Sequence, residues 1–525
     1  MGIAKSGIAR RFSRGVSSAQ VLGLLLSIAG VSAAGQEKGN PEKNGPEATR
    51  FALRAATLLG AEPVDKGEWG LLVVDAESGA ILYEKNADKY FLPASNMKLL
   101  TTALALDTLG PDYRFRTTIE TNGTLGAGGK LSGDLILVGR GDPNLSNRKF
   151  PYETKEEFDG PPEKALAELA DEVAARGVKE ITGDVVGDDS YFPRERYPDG
   201  WEIDDMVWEY GAAVSAIVVN DNTVTLTLTP GQRPGDGVTA VLEPAAREFT
   251  LKNQVMTIGT REKMDLRLTR EPGGDTVVVR GVMPAKGEPR KLALAIQEPA
   301  LQAANLLEQA LRDRGIKIDG NVRTAHDPVP NEAERTVLAE HLSIPLRESV
   351  KLVNKISQNL HAEVLLRTAA RQQGRWETPE DLQKFPTAFY AKAGIREGDV
   401  IQTDGSGLSR HDLVTPRAFV ALLGYAQKQT WFPAYAASLP LAGEDGTLNE
   451  RMRVPPLAGK IEAKTGSVTH VRALSGYAET PGGRKLIFSF LSNNQGGKNH
   501  EVHEAIEELC LAMVEEFDER REVTK

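Results

Sequence analysis

The sequence predicts an α+β fold: a domain of mixed helices and strands, split in two by a large β-rich insertion. Three observations carry this prediction. An apolar helix pattern runs without Gly or Pro from Ser95 to Leu109. From about Arg116 to His341 the texture changes to short strand-like runs punctuated by Gly and Asp turns. After His341 helical patterns return, and they are followed by a strongly apolar strand at Lys485–Leu491 and a one-sided terminal helix. A chain of 525 residues exceeds what one hydrophobic core serves, so two to four domains are expected.

Taken in order, Lys5, Arg10, Arg11 and Arg14 precede an apolar run at 21–31 that is too short to span a bilayer comfortably. With small residues for cleavage after Ala33 or Ala34, residues 1–34 read as a secretory signal peptide, an uncleaved anchor being the alternative. Residues 35–50, polar and carrying Pro41 and Pro46, read as a flexible leader. The first part of the split domain covers 51–116. It holds a short helix at Phe51–Leu59, a hairpin of Trp69–Asp75 and Ala80–Glu84 joined through Glu77-Ser78-Gly79, and the Ser95 helix.

The insertion covers 117–340. Leu135–Val138, the alternating Val224, Leu226 and Leu228, Val277–Val279 and Leu292–Ile296 read as strands. Helices are expected at Pro162–Arg176 and Pro299–Arg314, and the Gly-then-strand segments that follow them echo each other. The second part, 341–525, opens with a long helical stretch at Ile344–Ala370 and continues with a helix at Pro416–Gln427. Strands follow at Leu457–Lys464, Ala473–Glu479 and Lys485–Leu491. The terminal helix aligns Ile506, Leu509, Met513 and Phe517 on one face.

Composition excludes several classes. The chain is 40% hydrophobic and 26% charged, with a net charge of −10. No basic run occurs beyond the extreme N-terminus, which argues against nucleic-acid binding. Cys510 is the only cysteine, so no intramolecular disulfide forms, and its place on an apolar helix face makes it a core residue. The seven His are scattered and no Cys/His cluster suggests zinc, so neither metal nor cofactor is expected.

Chemistry enters through three motifs. Ser95 and Lys98 lie at i and i+3 at the mouth of a helix that is apolar nearly all round, which lets the Lys98 amine reach the Ser95 hydroxyl. A serine activated by a lysine amine is a nucleophile. Ser146–Lys149 repeats the spacing, but Phe150 and Pro151 follow it and no apolar helix does, so it reads as loop. Ser357-Gln358-Asn359 lies in the helical stretch after the insertion. Lys464-Thr465-Gly466 lies on an expected strand after the turn-rich 443–447 segment. Ser-x-x-Lys, Ser-x-Asn and Lys-Thr-Gly in that order are the signature of penicillin-recognising serine enzymes.

The chain resembles the low-molecular-mass class C penicillin-binding proteins, the D-alanyl-D-alanine carboxypeptidase/endopeptidase family. Pro93–Leu99 matches its nucleophile box. Gly133-Asp134-Leu135, Gly141–Ser146, Ile181–Asp184 with Asp188-Asp189-Ser190, Asp404–Arg410, Gly446-Thr447-Leu448 and Leu474–Tyr477 are also family-like, and the similarity runs from about 50 to 495. Gln358 stands where many relatives have Asp or Asn. The long stretch between Ser95 and Ser357 marks this family against the related β-lactamases.

The resemblance implies a serine β-lactamase/transpeptidase-like catalytic domain acting on peptidoglycan peptides that end in D-Ala-D-Ala. It also implies acylation by β-lactam antibiotics and an exported, periplasmic enzyme with no membrane span after signal cleavage. Ser95 is then the nucleophile and Lys98 the general base, its pKa depressed by burial and a second cation. Lys464 is that cation and stays charged to draw in a carboxylate. Ser357 relays a proton to the leaving nitrogen, and Asn359 holds Lys98 and a substrate amide. Thr465 meets the terminal carboxylate, the strand after Gly466 pairs with substrate backbone, and the N–H groups of Ser95 and Ser467 form the oxyanion hole. His361, His411 and His470 receive no role. The insertion carries none of the three motifs and is expected to govern access rather than chemistry. The rival readings are a β-lactamase or esterase on the same scaffold, and a catalytically idle envelope binding protein.

Overall fold

An antiparallel five-stranded sheet forms the centre of the computed structural model. Its order is Ile81–Lys85, Glu68–Asp75, Lys485–Asn493, Val471–Glu479, Ile461–Val468. Alternation along its strands serves two cores. Leu71, Val73, Leu474, Phe488 and Phe490 face the terminal helix Asn499–Glu516. Leu72, Val74, Ala473, Ile487 and Leu491 face the helices Met97–Leu109 and Pro416–Ala426. With both faces covered, Lys485–Asn493 is buried at every position after its first residue. The structure describes residues 46–245, 249–328, 334–374 and 378–518. The signal peptide and most of the leader lie outside them.

Residues 46–50 depart from the expected leader, because the first helix begins at Pro46 and runs to Leu59. Proline at the first helical position loses no hydrogen bond, since that N–H would be unpaired in any residue. Ala48, Phe51, Ala55 and Leu59 form the buried stripe. Phe51 meets Tyr83 edge-on at 4.9 Å and Phe517 at 5.3 Å, while Arg50 and Arg54 pair with Glu516 and Glu515 on the terminal helix.

Between 116 and 342 the strands form sheets of their own. One has the order Val322–Ala325, Val185–Asp188, Leu135–Val138, Arg116–Thr121, Thr336–Leu342. The echo between the two helix–Gly–strand units is a physical pairing. Lys317–Ile318 runs parallel to Glu180–Ile181, Val322–Ala325 runs parallel to Val185–Asp188, and the preceding helices Pro299–Asp313 and Lys164–Ala175 share one core.

The Ile344–Ala370 stretch is not one helix. It is Leu346–Lys355 and Asn359–Gln372, broken at 356–358, where Ser357 has φ of +65°. Neither Gly nor Pro marks the break, so apolar periodicity passes straight through it. The strand expected from Leu457 begins at Ile461, after a turn.

Phe51→Ala removes a fully buried ring that ties the first helix to the sheet and to Phe517. It should lower unfolding stability by about 3–5 kcal/mol, read from urea denaturation midpoints. Leu53→Ala, on the exposed face of the same helix, should change it by less than about 0.5 kcal/mol.

Candidate active site

Ser95 sits in a single 3-10 turn, Ala94–Asn96, that leads directly into the helix Met97–Leu109. Ala94 has φ of +47°, a conformation costly for a residue with a Cβ, and this bend presents Ser95 at the helix mouth. The turn is pinned from behind by Asn96, whose Nδ2 donates to Ser475 Oγ at 2.7 Å. Two glycines let other backbone come close. A Cβ on Gly407 (φ +80°) would collide with the Ala94 carbonyl, and one on Gly466 would fall 2.7 Å from the Pro93 carbonyl oxygen.

Lys98 is fully buried, and its Nζ donates to three acceptors: Ser95 Oγ at 2.9 Å, Asn359 Oδ1 at 2.6 Å and the Ser406 carbonyl at 2.8 Å. Lys464, equally buried, donates to Ser357 Oγ at 3.0 Å and to the Thr465 carbonyl at 2.8 Å. Asn359, the first residue of its helix, donates through Nδ2 to the Tyr210 carbonyl at 2.8 Å. Thr465 Oγ1 lies 2.7 Å from Thr447 Oγ1. A cleft of about 320 Å³ opens onto this group, lined by Ser95, Tyr210, Ser357, Asn359, Arg410 and Ser467 among others. Ser95, Lys98, Ser357, Asn359 and Lys464 therefore converge, with Thr465, Gly466 and Ser467 along the adjoining edge strand.

The other copies of the motifs stand apart. Lys149 pairs with Glu157 at 3.8 Å rather than with Ser146, and in Ser492-Asn493-Asn494, a second Ser-x-Asn at the end of the last strand, the serine is buried within the sheet, accepting from Gln495 Nε2. His361 bonds Asp221 at 2.9 Å and His470 bonds the Gln495 carbonyl at 2.7 Å.

The D-Ala-D-Ala carboxypeptidase 3 (S13) family model matches residues 54–513. The chain belongs to this family. A D-alanyl-D-alanine carboxypeptidase from Actinomadura sp. (strain R39) is 37% identical over 82% of this chain and 78% of its own length. D-alanyl-D-alanine carboxypeptidase DacB from Haemophilus influenzae is 29% identical over 80% of this chain and 84% of its own. The crystal structure of penicillin binding protein 4 (dacB) from Haemophilus influenzae superposes with a TM-score of 0.76 at 26% identity, covering 88% of this chain and 98% of that one. The same protein complexed with a novel β-lactam matches with a TM-score of 0.72. The α+β fold expected from the sequence is thus the fold of a penicillin-binding protein.

Several residues of this S13 site were not legible as functional. The Asp404 carboxylate accepts from the N–H groups of Ser406 (3.1 Å), Gly407 (2.6 Å) and Ser409 (2.9 Å), and from Trp201 Nε1 (2.8 Å). It thereby holds the loop whose carbonyl meets Lys98. Its signal is an Asx turn in Asp-Gly-Ser-Gly, which reads as ordinary turn chemistry. Glu363, one turn after Asn359, accepts from the Gly405 N–H at 2.8 Å. Tyr210, far away in sequence, carries no local signal.

Burial depresses Lys98 to about 7, and the nearby Asp404, Glu363 and Asp412 pull it back up. The expected second-cation effect falls on the other lysine. Lys464 is driven well below the ordinary range by its own burial and then by the charge of Lys98, and among the described residues it has no carboxylate partner. Burial and the Asp404 charge push Glu363 up to about 8, and Asp412 is raised for the same reasons.

A base must be neutral to accept a proton, so acylation should follow the deprotonated fraction of Lys98. The rate should climb with pH, flatten above about 7 and be about a hundredfold slower at pH 5 than on the plateau. A pH series of penicillin acylation rates checks this, and a flat profile from pH 5 to 8 would remove Lys98 from the role.

Proposed function

We propose that this cleft is the acyl-transfer site of a serine-type D-Ala-D-Ala carboxypeptidase and endopeptidase. Its substrates are peptidoglycan peptides, and β-lactams acylate it as substrate mimics. The observation that carries the reading is the Lys98 amine at 2.9 Å from Ser95 Oγ, with a second lysine, Lys464, bonded to Ser357 across the same cleft.

Ser95 Oγ attacks the carbonyl carbon of the penultimate D-Ala as its proton passes to Lys98 Nζ. The tetrahedral oxyanion is met by the N–H groups of Ser95 and Ser467. Ser357, bonded to Lys464, relays the proton held by Lys98 to the departing D-Ala nitrogen, and the C–N bond breaks to leave an ester on Ser95 with Lys98 and Ser357 back in their starting forms. Water then attacks the ester carbon as Lys98 takes its proton, the bond from that carbon to Ser95 Oγ breaks, and Lys98 returns the proton to Oγ, which regenerates Ser95 and frees the peptide carboxylate. Asn359 fixes Lys98 throughout.

The terminal carboxylate lies against Thr465 and Lys464. An arriving carboxylate supplies the counter-charge that Lys464 lacks and draws its pKa back up. Ile461–Val468 is the edge strand of its sheet; residues 440–442 bond the outer side of Ile461–Ala463, and the stretch after Gly466 is the part offered to an added substrate strand. We place the enzyme outside the cytoplasm, in a periplasm, on the N-terminal charge and hydropathy pattern. Among the described residues no helix is long and apolar enough to cross a membrane.

Ser95→Ala should abolish labelling by fluorescent penicillin, while Ser146→Ala keeps it, and peptide mapping should find the adduct on Ser95. A lasting adduct is expected, together with D-Ala release from a D-Ala-D-Ala peptide. Rapid penicillin turnover without D-Ala release would favour a β-lactamase. Arginine retains charge but cannot serve as a base near neutral pH. Lys98→Arg should therefore abolish acylation, whereas Lys464→Arg should retain part of it with a raised KM for the carboxylate-bearing peptide. Equal loss in both would mean that the lysines act as one unit.

A further inference from the structure

We propose that Asp221, contributed by the inserted block, is a positioning residue for the acylation step: it holds the Ser357–Asn359 turn in its working conformation. The inference rests on the reading of Ser95, Lys98, Ser357 and Asn359 as the acylating group.

The turn needs to be held. Ser357 sits at φ +65° in a break between two helices, a conformation that costs a non-glycine residue energy and persists where its surroundings enforce it. Two side chains next to Ser357 are gripped by one carboxylate. Gln358 Nε2 donates to Asp221 Oδ2 at 3.0 Å, and His361 Nε2 lies 2.9 Å from Asp221 Oδ1. The far end of Gln358 accepts from the Leu360 N–H at 2.9 Å and caps the helix that carries Asn359. The Asp221 carboxylate thus reaches Lys98 in two steps, through Gln358 and then through Asn359 Oδ1, 2.6 Å from Lys98 Nζ.

Asp221 is itself built to stay in place. Arg148 clamps it with Nη1 at 2.7 Å and Nη2 at 2.5 Å, and Arg148 Nε is held by Glu156 at 2.7 Å. Burial acts to raise the Asp221 carboxyl, but Arg148 and His361 hold it well below the usual carboxylate range, so it is an ionised acceptor across working pH. Asn220, Asp221 and Asn222 all have positive φ, at +49°, +54° and +54°. Asn222 fastens this bend by donating to the Ala213 carbonyl at 3.0 Å. The bend follows Ile217–Val219, which pairs in parallel with Asp142–Leu145 and so brings Arg148 alongside. This gives the Gly141–Ser146 segment a purpose that the motif chemistry left open. It also gives one to Gln358, whose side chain has the length to reach across.

On this proposal the insertion, expected to govern access, also bears on the chemistry, through the Asp221 carboxylate and the Tyr210 carbonyl that bond Gln358, His361 and Asn359. Misplacing a relay serine and the group that fixes the base raises the barrier, while the edge strand after Gly466 and Thr465, which take the peptide backbone and carboxylate, are not bonded to Asp221 and keep most of the binding.

The test uses the full chain and the acylation rate constant for fluorescent penicillin, normalised to the number of titratable sites so that unfolded enzyme does not count. Asp221→Asn keeps the shape and removes the charge. Losing a hydrogen bond to a charged group corresponds to about a tenfold to hundredfold slower acylation per site. With a D-Ala-D-Ala peptide, kcat should fall by a similar factor while KM stays within about twofold. Gln358→Leu leaves the Arg148–Asp221 pair intact and should slow acylation in the same direction, which serves if Asp221→Asn does not fold. Wild-type rates per site in Gln358→Leu and in any folded Asp221→Asn would overturn the proposal. So would a loss confined to the number of sites. Absence of an adduct on Ser95 in the wild-type chain would instead overturn the acyl-transfer reading itself.

Discussion

A primary amine with 0% exposure is an expensive object, and the site is organised around making one tolerable. Lys98 has three donors and meets three acceptors, each from a different segment: the Ser95 hydroxyl in the turn before its helix, the Asn359 carbonyl oxygen and the Ser406 backbone carbonyl. Every acceptor is neutral. The carboxylates of Glu363, Asp404 and Asp412 act from beyond contact and offset part of the depression that burial produces. A direct carboxylate partner would lock the amine in its charged form. Neutral contacts backed by remote charge leave it close to 7, where one proton can be accepted and returned.

Bringing three segments to one nitrogen demands close backbone approach. Gly407 is required because the Asp404 loop passes directly over the Ala94 carbonyl, and Gly466 because the edge strand runs against Pro93 and Asn96. Asp404 stabilises the loop with three backbone N–H groups, so the Ser406 carbonyl points inward rather than to solvent. The Ala94 bend, the Asp404 loop and the Ser357 break each place a polar group where regular structure would have hidden it.

What could be read in advance follows from range. The Ser95 helix, the Lys485–Asn493 strand and the two helix–Gly–strand units declare themselves through local periodicity and turn residues. Ser-x-x-Lys and Lys-Thr-Gly were legible for the same reason, since each places its groups on one short element. The break at Ser357 was not legible: neither Gly nor Pro signals it, and the carboxylate that bonds Gln358 and His361 beside it, Asp221, is remote in sequence. Pro46 was misread because proline punctuates a helix interior but is welcome at its first position. Burial was expected to depress Lys98 and does, but the expected contribution of Lys464 is not among its causes; the lysine–lysine effect falls on Lys464 instead, second to its own burial.

The insertion separates Ser95 from Ser357 along the chain, and its mode of entry removes the cost of that separation. The chain leaves through Arg116–Thr121 and returns through Thr336–Leu342, which are antiparallel neighbours, Leu342 opposite Arg116. The pairing continues past the strands: Ser343 N–H donates to the Phe115 carbonyl at 2.9 Å and Leu346 N–H to the Tyr113 carbonyl at 2.8 Å. The helix that ends at Leu109 and the helix that begins at Leu346 are thus fastened together as though joined by a short loop. Asn354, on that second helix, then donates at 3.1 Å to Thr102, one turn along from Lys98. A large block placed at such a closed neck adds little loop entropy to assembly of the site. That leaves its inner surface, with Tyr210, Asp221 and Arg148, free to be shaped by what Ser357 and Asn359 require.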